Sequence, residues 1–220
     1  MNNSSSKADI LARVRAGLRQ DPARAEDRRA RVLEQLATPT DGPRPRLTGD
    51  LLERFCQRSL AMSSTVDRVA RIADAPAAIA RYLAAGGLPS AAVCWHEFAD
   101  LDWAGAGLAV AARAARDEDL VGITGAFCAI AETGTLMLLS GPQTAATTSL
   151  LPETHIAIVA ADRVVAGMEE GFARLRAEHG EMPRAVNFVS GPSHTGDIEL
   201  TIVLGAHGPY RVHLLIVDAS

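Results

Sequence analysis

From about residue 65 to the end of the chain, short β-prone runs alternate with helical stretches of ten or so residues. This alternation limits the possible folds more than any other feature. A crossover of that length can join parallel neighbours in one sheet, whereas antiparallel neighbours need only a tight turn. Thr65–Ala70 reads as a strand, and Pro76–Ala85 as a helix closed by Gly86-Gly87. Ala91–Trp95 is strand-like, and Ala106–Ala115 reads as a helix despite the glycines at its start. Val121–Thr124 follows, then Cys128–Ala131 and Leu136–Leu139 on either side of a tight Glu-Thr-Gly-Thr. Ile156–Ala160, a helix over Met168–Glu178, Val186–Ser190 and Val212–Val217 complete the series. The expected class is α/β, with a mostly parallel sheet flanked by helices.

The first 46 residues follow another pattern. Ile10, Leu11, Val14 and Leu18 fall on one helical stripe, with Ser6 as the expected cap. Pro22 suits the start of a second, Arg-rich helix ending near Leu36. TPTDGPRPR at 38–46 reads as a linker or an extended crossing strand. Residues 1–46 are therefore expected to form an N-terminal helical arm with a Pro-rich linker, and 47–220 the main domain. A helix over Leu47–Leu60, capped by Thr48, opens that domain.

Composition removes several function classes. Hydrophobic residues make up 48% of the 220 and aromatics 4%, so a core is affordable but must be packed mainly with aliphatic side chains. Lys and Arg outnumber Asp and Glu ten to seven over residues 1–50, but acids lead nineteen to twelve over the rest. That domain offers no basic footprint for nucleic acid. Cys56, Cys94 and Cys128 lie far apart with no CxxC pair, which argues against a disulfide framework or a metal cluster. They read as small buried hydrophobes in a reducing compartment. No signal-like h-region and no membrane-length apolar run is visible, so a cytoplasmic location without a membrane span is expected. Neither HExxH nor GxGxxG occurs, and no metal site is assigned.

Three polar loops follow apparent strands, where open α/β sheets bind ligands. The first holds Thr124 and Gly125; the second Glu132, Thr133, Gly134 and Thr135; the third Ser190, Gly191, Ser193, Thr195, Asp197 and Glu199, with His207 shortly after. Glycines let a backbone approach a ligand, and hydroxyls with N–H groups at a helix start can hold a small anion. Ionised Glu132, Asp197 or Glu199 would repel that anion, so these carboxylates are candidates for proton chemistry. Structural readings compete. Ser193, Thr195 or Asp197 could cap a helix, Glu132 could be a satisfied hairpin residue, and His207 a turn residue. His96, His155 and His179 are scattered and receive no ligand role.

GITGAFCAIAETGTLMLLSGP, SLLPETHIAIV and SGPSHTGDIELTIVLGAHGPYRVHLLIVD, in that order, resemble the LUD-domain family over roughly residues 45–220. The resemblance implies a NagB/RpiA/CoA-transferase-like fold and a cytoplasmic component of an L-lactate utilization system. Such a component takes part in oxidation of L-lactate to pyruvate with iron–sulfur partner proteins, carrying no iron–sulfur cluster itself; its cofactor stays unspecified. Family members commonly read SRTADIE where this chain has Ser193-His194-Thr195-Gly196-Asp197-Ile198-Glu199. His194 would replace an Arg and bind an anion only when protonated. In the wider fold group a Glu before a Gly-containing turn is the nucleophile of acyl-CoA transferases, which invites comparison with Glu132. The alternatives are a free-standing enzyme of the CoA-transferase or folate cyclo-ligase kind on a phosphate-bearing ligand, and a non-catalytic scaffold.

Overall fold

The protein is described by a computed structural model covering residues 3–18, 24–37, 42–198, 201–205 and 207–219; for 3–5, 195–198, 201–204 and 219 the backbone alone is described. Contacts divide the chain into two units, Met1–Pro45 and Arg46–Ser220.

The first unit holds helices α1 (Asn3–Gly17) and α2 (Ala25–Ala37). Ser6 lies inside α1 instead of capping it, because the helix begins three residues earlier. Pro22, the expected start of the second helix, lies outside the described residues. Ile10, Leu11 and Val14 are exposed, as are Val32, Leu33 and Leu36.

The second unit opens with α3 (Leu51–Ala61). Its cap is Asp50, not Thr48: the Asp50 carboxylate accepts from the Glu53 N–H at 2.8 Å, satisfying an orphan donor of the first turn. Its strands are β1 (Thr65–Arg71), β2 (Ala91–Cys94), β3 (Ala109–Ala112), β4 (Val121–Gly125), β5 (Cys128–Ile130), β6 (Thr135–Leu139), β7 (Thr154–Ala160), β8 (Val164–Val165), β9 (Val186–Val189), β10 (His194–Ile198), β11 (Thr201–Leu204) and β12 (Arg211–Ala219). Helices α4 (Ala75–Ala85), α5 (Thr147–Leu150) and α6 (Met168–Glu178) complete it.

Six strands form one sheet in the order β1-β12-β7-β4-β2-β3, parallel at every pairing. Its centre is apolar on both faces: Ile156 to Val159 and Leu214 to Val217 are buried without interruption. Such runs mark strands covered on both sides. Each large aliphatic side chain buried there stabilises the fold by roughly 1.5–3 kcal/mol. The expected helix over Ala106–Ala115 is instead a reversal followed by edge strand β3, paired with β2. Gly107, at φ 77°, turns the chain, and an alanine-rich run cannot choose between helix and strand against a pairing partner.

A second, four-stranded sheet, β8-β5-β6-β9, is mostly antiparallel. Strands β5 and β6 leave the main sheet after β4, and β8 and β9 leave it after β7. Both excursions start at the carboxyl ends of parallel strands. Between β9 and β12 lies the β10–β11 hairpin. Ser193, Thr195 and Asp197 therefore cap no helix; a strand stands where a helix start was expected.

Candidate functional site

The carboxyl edge of the parallel sheet is where the topology predicts a ligand, and a cavity of about 800 Å³ opens there. Five strand ends reach it: Ile72 follows β1, Trp95, Glu97 and Phe98 follow β2, Gly125 ends β4, Ile158 and Ala160 end β7, and Val217 lies near the end of β12. The opposite wall comes from the excursions. Leu139, Ser140 and Thr144 stand at the exit of β6, Asp162 and Arg163 between β7 and β8, and Glu178, His179 and Glu181 at the end of α6.

The charges in this wall are organised. Arg163 holds both oxygens of Glu178, at 2.7 and 3.0 Å, and Arg174 reaches the same carboxylate at 2.7 Å. Those two guanidinium groups hold the Glu178 carboxyl below the usual carboxylate range. Arg163 also lies 5.9 Å over the Phe127 ring, which His179 meets edge-on at 5.6 Å. Glu97 differs: among the described residues its carboxyl has no hydrogen-bond or ion-pair partner, and burial raises its pKa. The space above Gly125 is filled by the Glu97 carboxyl and the Phe98 ring, so any side chain at 125 would displace Glu97. Glycine at 125 leaves that space to the Glu97 carboxyl.

Of the residues singled out in the sequence, Gly125 lines this cavity and Thr124 lies beside it, fully buried. The Thr124 hydroxyl is 2.8 Å from Nε2 of His155, so it is committed to the core. The other two loops meet elsewhere, against the end of α3. Thr133 Oγ1 is 2.7 Å from Thr135 Oγ1, which is 2.6 Å from Ser190 Oγ. This hydroxyl run joins the β5–β6 hairpin to the exit of β9. Gly134 (φ 71°) packs on the backbone of Arg58 and Ser59, and Gly191 (φ 75°) on the carbonyl of Met62. Glu132 is half-buried in the hairpin, with its N–H donating to Ala166 O at 3.0 Å. Ser193 donates its N–H to Pro209 O at 2.9 Å, and His207 is exposed in the turn before β12. Thr195 and Asp197 are placed only as members of β10, and Glu199 lies outside the described residues.

Glu97, Asp162, Arg163 and His179 were missed by sequence reasoning. Trp-His-Glu-Phe after β2 carries no motif, and only the position after a strand could have pointed to it. Among the described residues no cluster of three or more metal-ligating side chains occurs, and no helix is long and apolar enough to cross a membrane.

A parallel sheet with a second sheet inserted at its carboxyl edge, and a ligand-sized cavity beside that edge, defines an α/β domain with a candidate small-molecule site. The chain belongs to the LUD domain family, whose model matches residues 52–217. It is 40% identical over 100 residues to a protein named Lactate utilization protein C from Shouchella clausii, an alignment covering 44% of each chain. It is 42% identical over 101 residues to the protein of the same name from Halalkalibacterium halodurans, again 44% of each. The matched segment thus spans less than half the length of these relatives. The crystal structure of a DUF162 family protein from Deinococcus radiodurans shares the fold, with a TM-score of 0.57 over 79% of this chain and 99% of that one, at 24% identity.

Proposed function

We propose that this chain works in L-lactate utilization, as a cytoplasmic component of a system that oxidises L-lactate to pyruvate with iron–sulfur partner proteins. The observation that carries the reading is the similarity to several proteins named Lactate utilization protein C. The oxidation removes two electrons and two protons from the substrate. The electrons pass to the iron–sulfur partners, since Cys56, Cys94 and Cys128 are free thiols far apart in sequence, two of them buried with pKa values pushed up to about 11. Such thiols make poor cluster ligands, because the thiolate is the ligating form.

Within this reading the hydroxyl run Thr133–Thr135–Ser190 is the candidate locus for a small anion such as a carboxylate. Exposed Thr133 and Ser190 offer its open ends. Glu132, next in sequence, is the candidate proton-handling carboxylate, with Asp197 and Glu199 as its alternatives. A clean deletion should abolish growth on L-lactate and spare growth on glucose, with restoration by the intact gene. Normal growth on lactate in a strain lacking other lactate dehydrogenases would overturn the reading.

A further inference from the structure

The cavity at the carboxyl edge differs from a lactate site in size and in sign. At about 800 Å³ it lies in the range that encloses a drug-sized ligand, and a three-carbon acid would leave most of it empty. Its walls carry four carboxyl groups, Glu97, Asp162, Glu178 and Glu181, against Arg163 and His179, and Arg163 is already engaged by Glu178. An anion would meet net repulsion. Aromatic residues are scarce in this chain, yet Trp95, Phe98 and Phe127 all line this one cavity. They favour a flat, polarisable ring.

We propose that this cavity binds a planar nitrogen heterocycle whose adjacent N–H donors pair with the Glu97 carboxylate. The edge required is the amino-oxo-pyrimidine edge shared by guanine and pterins, which presents a ring N–H beside an exocyclic amino group. Two parallel donors match the two oxygens of one carboxylate. Glu97 suits this role because its carboxyl lacks a partner among the described residues and lies over Gly125, which has no side chain to come between it and the cavity. Glu97 as a whole is exposed, but its carboxyl end lies over Gly125 beside the Phe98 ring, and the ligand's donor pair replaces the water lost there. The raised pKa of Glu97, caused by burial, agrees with such a group. The inference does not depend on the lactate reading.

The test uses the full-length purified chain, with guanosine and 6-hydroxymethylpterin as probes in separate titrations. Binding is read by quenching of Trp95 fluorescence and by calorimetry. Saturable binding of at least one probe is expected, and which one binds distinguishes a nucleoside from a ring cofactor as the source. Inosine, which lacks the amino group, should bind about tenfold or more weakly than guanosine if guanosine is the ligand. Glu97→Gln should weaken the bound probe about tenfold without lowering the melting temperature, since its amide places a donor against a donor. No saturable binding of either ring up to about 1 mM, or equal binding by Glu97→Gln, would overturn the proposal. Normal growth on lactate in a gene deletion would overturn the lactate reading and leave this binding result untouched, so the two readings fail separately.

Discussion

Oγ1 of Thr124 lies 2.8 Å from Nε2 of His155, and both side chains are fully buried. The bond ties β4 to β7, neighbours at the centre of the parallel sheet. On the same face Thr148 presses its carbonyl over Gly122, the register partner of His155. No hydrogen-bond partner for Nδ1 of His155 or Oγ1 of Thr148 is found among the described residues. Thr124→Val keeps the shape and removes the hydroxyl, leaving His155 without its bond. The expected loss is about 1–3 kcal/mol in urea unfolding at neutral pH. An unchanged midpoint would show that the contact contributes nothing.

Burial holds His155 and His213 neutral, each with its pKa lowered to about 4 from an ordinary 6.5. For His213, stacked on Tyr82 at 3.8 Å, nearby Asp67 opposes the shift but burial dominates. Below pH 6.5 the unfolded chain takes up these protons and the folded chain does not. Stability should therefore fall as pH drops from 6.5 toward 4, by up to roughly 1.4 kcal/mol per pH unit for each histidine. Glu97 acts in the opposite sense, because a raised carboxyl pKa favours the folded state as pH falls. The clean readout is a difference: His213→Gln should show a shallower decline than the parent between pH 6.5 and 5. Parallel curves would mean that His213 titrates normally.

Much of the main sheet is legible in the sequence because its physics is local. Val121–Gly125, Thr154–Ala160 and Arg211–Ala219 are apolar runs of strand length, and α6 occupies the segment Met168–Glu178 expected from its periodicity. The hairpin around Gly134 was visible through Thr-Gly between two β-prone runs. The rest depends on pairing at a distance. Strand β8 has two residues and β10 is rich in His, Thr, Gly and Asp, so neither carries a β signal of its own. The same limit hid Glu97: what makes it distinctive is Gly125, twenty-eight positions away in sequence, and no local pattern records that contact.

Gly191 should be more sensitive than its loop position suggests. Its φ of 75° is unfavourable for any L side chain, and an added Cβ would run into the carbonyl of Met62. Gly191→Ala is expected to cost more than about 1 kcal/mol. The lesion is structural, so it should lower both the melting temperature and lactate-dependent growth. A variant with a normal melting temperature and lost growth would instead place Gly191 at a binding surface.

Glu132→Gln separates the two roles open to that residue. If Glu132 is the proton-handling carboxylate beside the Thr133–Thr135–Ser190 run, the amide should abolish growth on lactate with little change in melting temperature. If it is only a hairpin residue, growth should persist. Ser190→Ala checks the locus independently, since it removes the end of the hydroxyl run at an exposed position. Full growth with both variants would remove this locus from the function.

We propose that the boundary between the helical arm and the LUD domain falls at residue 46, and the core makes this testable. Every side chain of the two hydrophobic clusters lies between Leu51 and Val217, and α2 buries none of its residues. The contact division falls after Pro45, and the family match begins at residue 52. Truncation to residues 46–220 keeps every residue of both clusters, and Asp50 stays in place to cap α3. The fragment should unfold cooperatively within about 0.5 kcal/mol of the full chain, the range expected for changes away from a core. A loss above about 2 kcal/mol in urea unfolding would show that residues 1–45 belong to the folded domain after all.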